Sequence, residues 1–184
     1  MRTEPLTSPA GYDFWTRQLD LLGDREPLGV LAQTPDALAM MVAAYPGDVL
    51  RQRPFSGKWT PCEIFGHLVD IEWVFGFRIR TALFDEAPVL MPVDQDRWVA
   101  GQRHNETDLR ALLTRFQALR AINLDLWRAL PTEALARTAH HREADVPLST
   151  GQMLRILAGH DLYHLHQMKE YVKTIRDEVV IRRC

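Results

Sequence analysis

Several features that mark particular classes of protein are missing from this 184-residue sequence. It has only two cysteines, Cys62 and Cys184, which give no disulfide framework of the kind that stabilises small secreted proteins. Its 22 basic and 24 acidic residues nearly balance, so the charge indicates neither a nucleic-acid partner nor binding to an anionic membrane. No stretch approaches the roughly 18 apolar residues of a membrane span, and residues 1–11 lack the apolar core of a signal peptide. We therefore expect a cytoplasmic protein.

The composition that remains is that of an ordinary folded chain. Hydrophobic residues make up 46% of the sequence, which is typical of globular proteins. A chain of this length can bury one sizeable core and is short for two. We expect a single domain over residues 1–184 with its core at about 12–176. Alternating apolar and polar residues nowhere continue long enough to indicate a sheet.

Apolar residues recur instead at helical spacing. The predicted helical regions are, in chain order, about 12–44 (broken near 23–27), 61–83, 105–131 and 149–175. Four amphipathic regions in one domain favour an all-α fold, a four-helix bundle. The connection 84–105 is long for antiparallel neighbours, so we expect helices two and three to run parallel through a crossover. Residues 131–148 form either a plain connection or a long functional loop.

Capping signals locate the helix starts. TPCE at 60–63 and STGQ at 149–152 have the spacing at which the first side chain and the fourth residue cap each other's amides. Residues 105–108 offer a similar pair for helix three. Thr34 and Pro35 suggest a start for the second half of the first region, because threonine caps and proline suits a first turn.

The segment GHDLYHLHQM at 159–168 places three histidines in an otherwise apolar helix. His160 and His164 lie one turn apart on the face that the bundle should bury. His166 falls on the polar side and is expected at the surface. In helix two, His67 lies in line with the apolar residues that most plausibly meet the core.

Three inward imidazoles are unfavourable unless each finds a partner. A divalent cation bound by neutral imidazoles satisfies all three, and histidines four residues apart on a helix can reach one ion. The alternative is three separate core histidines bonded to carbonyls or carboxylates. Asp161 stands where a metalloprotease helix would have its general-base glutamate and points away from His160, so we do not predict a protease.

Five further residues are candidates for the surroundings of such an ion, and each has a structural alternative. Glu63 and Asp70 lie near His67 on the helical wheel, but Glu63 is also a cap and Asp70 could be a solvated charge. Gln167 and Tyr163 lie near the helix-four histidines, or they simply pack in the core. Arg78 could meet an anionic substrate group at the bundle end, or form a surface ion pair.

Four residues outside this set carry weaker signals. Trp59 and Trp98 are pocket or core aromatics. His140 and His141 could supply a fourth ligand from the loop before helix four, although the direction of loop side chains is not predictable.

The sequence resembles a known family in two motifs, KWTPCEIFGHLVDIE at 58–72 and GHDLYHLHQM near the C-terminus. Together they are similar to the DinB (YfiT-like) family of four-helix metal-binding proteins, over about residues 35–175. The resemblance implies one divalent ion held by a histidine of helix two and two of helix four, matching His67, His160 and His164. It also implies a homodimer, and several family members transfer a low-molecular-weight thiol such as bacillithiol or mycothiol.

Three protein ligands leave a coordination position open. An ion there can lower the pKa of a thiol cosubstrate, which supports thiol transfer to a small-molecule electrophile, or of water, which supports hydrolysis. We expect a thiol S-transferase first, with a metal-dependent hydrolase as the alternative and a non-catalytic metal- or ligand-binding stress protein as the third. Zinc or nickel is the expected ion, although histidine ligation also suits iron and copper.

A second apolar face appears on two of the predicted helices. It comprises Leu154, Ala158, Leu162 and Leu165 in helix four, and Phe65, Val69 and Trp73 in helix two. Either a partner subunit covers these faces or the segments 1–33 and 84–105 do.

Overall fold

A computed structural model describes residues 12–181, with side-chain surroundings for residues 15–177. Residues 1–11 and Cys184, on which the signal-peptide and disulfide expectations partly rest, lie outside the described residues. The helices are α1 (Tyr12–Leu22), α2 (Pro27–Ala44), α3 (Gly47–Leu50), α4 (Pro61–Phe84), α5 (Gln95–Gly101), α6 (Leu109–Ala129) and α7 (Thr150–Ile181). The strands are β1 (Val89–Leu90), β2 (Thr138–His141) and β3 (Val146–Ser149). Within this described range, no helix is long and apolar enough to cross a membrane.

The long helices α2, α4, α6 and α7 form a four-helix bundle, as predicted. Phe65 of α4 faces Phe116 of α6, and further along both helices Glu72 meets Arg120. Contacts that advance together in this way show that α4 and α6 run parallel. The crossover between them, residues 85–108, contains β1 and α5. The expectation of a parallel pair joined by a long connection is therefore confirmed.

Two of the predicted helix starts are confirmed by their caps. The Thr60 hydroxyl accepts from the Glu63 amide at 3.0 Å while the Glu63 carboxylate accepts from the Thr60 amide at 2.7 Å. Ser149 and Gln152 cap each other in the same way, at 3.1 and 2.8 Å. Helix α6 begins later than predicted. Its cap is Asp108, which accepts from the Ala111 amide, and the residues before it form a 3-10 turn.

The predicted start at Thr34 and Pro35 is wrong, because α2 already begins at Pro27 with Glu26 as its cap. Pro35 lies inside the helix and has no amide hydrogen to donate to the carbonyl of Leu31, four residues earlier. That carbonyl accepts instead from the buried Arg120 guanidinium at 2.7 Å. A tertiary contact thus compensates for a proline that breaks the helical hydrogen-bond ladder.

The expectation that no sheet forms is also wrong. A small three-stranded sheet has the order β1-β2-β3, with β1 parallel to β2 and β2 antiparallel to β3. Its register pairs His140 with Val89 on one side and Pro147 on the other. The strands have two to four residues, too few to show alternation, and they are stabilised by pairing between distant segments.

The apolar core has two parts that lie at opposite ends of the bundle. One part contains Val74, Phe75, Leu124, Trp127, Ile156 and Leu157. The other contains Ile64, Phe65, Leu112, Phe116, Met168 and Val172. On α6 and α7 the residues between these two groups include five buried polar side chains, Arg120, Asn123, His160, Asp161 and His164, and from α4 His67 and Glu72 join them. The bundle therefore carries a polar layer at mid-height.

Arg120 ties that polar layer together. Its guanidinium donates to Glu72 of α4 at 2.6 Å and to Asp161 of α7 at 2.7 Å, and all three side chains are buried. Thr34 of α2 donates to the same Asp161 carboxylate at 2.7 Å. Burial alone would lower the pKa of the guanidinium, but Asp161 and Glu72 outweigh it and raise that pKa. One cation thus links all four long helices.

Helix α1 covers the second apolar face of α7. Leu154 and Ala158 are buried in the cluster that also contains Leu22 of α1. Gly159 allows the close approach, because a Cβ there would lie 2.1 Å from the backbone oxygen of Gln18. Burial beside the N-terminal segment, one of the two alternatives, thus holds for Leu154 and Ala158, whereas Leu162 and Leu165 of the same face are half-buried. On α4, Phe65 and Val69 are buried, whereas Trp73, Phe77 and Phe84 remain exposed.

Replacing Arg120 with methionine tests the importance of this network. We expect Arg120→Met to lower the free energy of unfolding by about 3–5 kcal/mol, because it leaves two buried carboxylates without their cation. Chemical denaturation measures the change, and Arg115→Met, an exposed site on the same helix, is the matched control. Equal denaturation midpoints for the two variants would contradict this account.

Candidate metal centre

Three histidine rings converge in the polar layer. His67 comes from α4, and His160 and His164 come from successive turns of α7. Their ring centroids lie 5.1, 4.9 and 4.4 Å apart, and one nitrogen from each ring lies within 4.8 Å of the other two. All three are buried, with exposed fractions of 1, 5 and 4%. The arrangement has the donor set and the size of a site for one cation.

Hydrogen bonds around His164 determine which nitrogen is available to an ion. Its Nδ1 lies 2.9 Å from the Gln167 side-chain oxygen, which can only accept, so Nδ1 carries the hydrogen. Its Nε2 is buried without a hydrogen-bond partner among residues 15–177. The Gln167 amide donates in turn to the Tyr171 hydroxyl at 2.9 Å. An imidazole that is oriented from behind and has its other nitrogen open is typical of a metal ligand.

The other two rings also fit an ion. The Nε2 atoms of His67 and His160 lie 3.1 Å apart. Two nitrogens on one tetrahedral zinc at 2.0–2.1 Å stand about 3.3 Å from each other. The residues present therefore fit a divalent ion held by three nitrogens, with a further position open for an exchangeable ligand.

Burial keeps these imidazoles neutral. It lowers the pKa of His67 and of His160 well below the usual value, and the neighbouring histidines add to the effect. It lowers the pKa of His164 to about 4, although the bond to Gln167 opposes the shift. Neutral imidazole is the form that binds a metal ion, so no deprotonation is needed at pH 7.

Two aromatic rings pack against the cluster. Trp59 packs against His67 with 4.9 Å between centroids, and Tyr163 packs edge-on against His164 at 5.0 Å. Trp98, the other aromatic considered from the sequence, is 40% exposed and lines a separate pocket with Asp70 and Gln102. The aromatic wall lowers the local dielectric, which strengthens electrostatic interactions within the site.

Two acidic candidates have partners elsewhere. Asp70 accepts from Gln102 at 2.9 Å and lies 2.8 Å from the Nε2 of buried His104. That ring packs on Gly66, where a Cβ would lie 2.1 Å from it. Glu63 caps α4 and pairs with Arg53 at 3.0 Å. This agrees with the alternative that Glu63 is a helix cap and not part of the surroundings of the ion.

The remaining histidines lie outside the cluster. His166 is exposed, as the helical wheel predicts. His140 and His141 lie in strand β2, and neither joins the ligand cluster among the described residues. His140 pairs with Asp145 at 3.2 Å, whereas His141 is buried against the edge of Trp15.

A cavity of about 340 Å³ adjoins the histidine cluster at His160. Its apolar walls are Trp15, Ile71, Val74, Phe75, Val93, Ala144 and Ile156, and its polar residues are Gln18, Arg78, Gln95, His141 and Glu143. Its volume falls at the lower end of the range for small-molecule sites. The cavity can therefore hold a compact molecule in contact with the cluster.

Sequence reasoning missed Gln18 and the Arg120 network. Arg120 interrupts the apolar stripe of α6, and Asp161 follows an inward histidine. Charged residues on or beside faces that should be buried were the signal in the sequence that could have indicated this network. Gln18 gave no comparable signal, because α1 has polar residues on several sides.

Comparison with known proteins agrees with this geometry. The sequence profile of the DinB superfamily matches residues 31–168. The chain belongs to the DinB superfamily. Membership supports a metal-binding histidine cluster in a helical bundle.

Individual relatives carry related names. A protein of Oceanobacillus iheyensis, named "Putative metal-dependent hydrolase", is 29% identical over 118 residues, which cover 64% of this chain and 67% of that one. YfiT of Bacillus subtilis, with the same description, is 23% identical over 141 residues, or 77% of this chain and 79% of YfiT. The YfiT structure matches with a TM-score of 0.74 at 20% identity, over 93% of this chain and 92% of that one. It is described as having "an unusual four-helix bundle topology", and the match shows the fold.

The buried thiol of Cys62 yields a test of whether the chain supplies its own nucleophile. Burial raises the pKa of this thiol to about 11, so roughly one molecule in a thousand carries the thiolate at pH 8. We expect iodoacetamide to alkylate Cys62 slowly in the folded protein, and faster as pH rises towards 11. Peptide mapping by mass spectrometry measures the rate. Labelling at pH 8 as fast as in urea would contradict the burial argument.

Proposed function

We propose that His67, His160 and His164 hold one divalent ion, with zinc or nickel expected, and that the chain is a metal-dependent enzyme. The proposed reaction transfers a low-molecular-weight thiol of the bacillithiol or mycothiol type to a small-molecule electrophile. The observation that carries the proposal is the convergence of three buried, neutral imidazoles beside a cavity. Relatives named as metal-dependent proteins support the ion.

An ion with an open position supplies Lewis acidity that lowers the pKa of a thiol bound there. Around it, Gln167 orients the His164 ring by its bond to Nδ1, and Trp59 packs against the His67 ring. The cavity places an electrophile next to His160. Among its described lining residues the one carboxylate, Glu143, is exposed. A cavity whose described lining has no buried carboxylate base suits a thiol, which ionises without one, better than it suits water.

Hydrolysis is the second candidate, because the names of the relatives favour it. The same three ligands and the same cavity would serve both reactions. A non-catalytic protein that binds a metal or ligand under stress is the third. The homodimer implied by the resemblance stays a prediction, and the exposed aromatic face of Trp73, Phe77 and Phe84 is where such a contact would be expected.

Metal content tests the ligand assignment. We expect purified protein to contain close to one equivalent of a divalent ion, and a His160→Ala His164→Ala variant to lose at least about tenfold in metal affinity, since two of three ligands are removed. Elemental analysis of the dialysed proteins measures the bound metal per chain, which falls when the affinity falls. His166→Ala removes an exposed histidine from the same helix and should retain the ion. Equal metal content in all three proteins would refute the assignment.

Turnover separates the candidate reactions. We expect bacillithiol or mycothiol to be consumed with monochlorobimane in a metal-dependent reaction that the double variant lacks and His166→Ala keeps. Cys62→Ser should remain active, because the thiol comes from the cosubstrate. Ester hydrolysis without added thiol would favour the hydrolase. If the metal-loaded protein turns over neither the thiol with its electrophile nor the esters, the non-catalytic binding protein is favoured.

A further inference from the structure

The cavity beside the histidine cluster is lined by residues from more than one turn of both α4 and α7. Ile71, Phe75 and Arg78 line it from successive turns of α4, and Ile156 and His160 line it from α7. The seven residue-to-residue steps from Ile71 to Arg78 span roughly 10 Å at the rise of an α-helix. The cavity therefore has one end at the histidines and another about two helical turns away, at Arg78.

Arg78 brings to that distant end a positive charge that has no close ion pair among residues 15–177. Its Nη2 donates to the carbonyl of Met91 at 2.7 Å, and the guanidinium lies 5.9 Å from the Phe75 ring centre. Among residues 15–177 no carboxylate lies within ion-pair distance of it, although Glu143 also lines the cavity. A half-buried guanidinium without an ionic partner favours a carboxylate as its ligand.

The neighbouring charges leave Arg78 as the dominant group at that end. Glu143 is exposed, so its attraction for a cation is screened by water more than that of Arg78 for an anion. His141 is neutral at pH 7, because burial, and then the charge of Arg78, lowers its pKa to about 4. Its Nδ1 accepts from the Ala144 amide at 3.3 Å, which makes its Nε2 a hydrogen-bond donor.

Gln18 provides an unpaired polar group at the other end. Its side chain is 1% exposed, and neither the oxygen nor the nitrogen of its amide has a hydrogen-bond partner within residues 15–177. Its backbone packs on Gly159, directly before His160. A buried amide without partners destabilises the folded state, so a ligand that pairs with it removes that penalty.

We propose that this cavity binds a small molecule with a carboxylate at one end, an apolar or aromatic body, and a hydroxyl or amide at the other end. The carboxylate pairs with Arg78, the body packs between Phe75 and Ile156, and the polar group bonds to Gln18. Only one part of this proposal, that the polar end of the ligand lies next to a metal ion, rests on the function proposed above. Binding of the ligand in the cavity is independent of that function.

Calorimetric titration with three matched probes tests this specificity. The probes are 3-(4-hydroxyphenyl)propionate, its primary amide and 3-phenylpropionate, each titrated into the metal-loaded full chain and into chelator-treated protein. We expect the hydroxyphenyl carboxylate to bind at least about tenfold tighter than its amide in both preparations, because the amide cannot form the charge pair with the half-buried Arg78. Equal affinities, or no binding of the carboxylate up to about 10 mM, would overturn the proposal.

Arg78→Met should abolish the preference for the carboxylate. Arg142→Met removes the same charge nearby, from an exposed residue that does not line the cavity, and should preserve that preference. A preference that Arg78→Met leaves intact but that disappears with the metal would show that the carboxylate binds the ion, and the proposal would be wrong.

Gln18→Leu provides an independent readout. Because it removes an unpaired buried amide, we expect it to raise the thermal midpoint while abolishing the preference for the hydroxylated probe over 3-phenylpropionate. A lower midpoint with unchanged probe selectivity would mean that Gln18 is structural. If the protein binds no metal but shows this selectivity, the proposed reaction is wrong and the cavity assignment is right. If it binds metal and turns over thiol but lacks the selectivity, the cavity assignment is wrong and the proposed reaction is unaffected.

Discussion

The guanidinium of Arg120 is the contact on which the rest of the bundle depends. It bonds to Glu72 of α4, Asp161 of α7 and the Leu31 carbonyl of α2. Sliding any of these helices by one turn would leave a charge buried without its partner, which costs several kcal/mol. Apolar side chains tolerate such sliding far better, since they have no directional bonds. The ionic layer therefore sets the heights of the helices relative to one another.

That register places the histidines. Asp161 directly follows His160, and Glu72 lies five residues beyond His67, so the helix heights that pair both carboxylates with Arg120 also bring the two imidazoles within 3.1 Å. The candidate site thus lies on rigid helices, with a structural polar network beside it. Gln18 and Arg78, which among residues 15–177 have no partner for the side-chain amide and no close ion pair respectively, both line the cavity. Polar groups that the fold leaves unsatisfied mark the region where a ligand is expected to bind.

Local signals in the sequence were sufficient for most of the bundle. The caps at Thr60 and Ser149 depend on neighbours three residues away, and the inward direction of His67, His160 and His164 follows from helical periodicity alone. The structural expectations were wrong where the conformation depends on contacts between distant segments. Pro35 is tolerated inside α2 because Arg120, 85 positions later in the chain, bonds to the carbonyl that the proline leaves free. The strands form because residues near 90, 140 and 147 meet, and no periodicity within so few residues records that.

The sequence by itself determined the helices, their buried faces and the three histidines on those faces, because each depends on spacing along a single helix. The tertiary structure decided that the three rings cluster together and that Asp70 bonds to His104. It also decided that Arg78 and Gln18 line one cavity with His160. These outcomes depend on the register between helices and on the crossover that carries α6 parallel to α4. Register follows from contacts between residues far apart in the chain, so it exists only in the folded molecule.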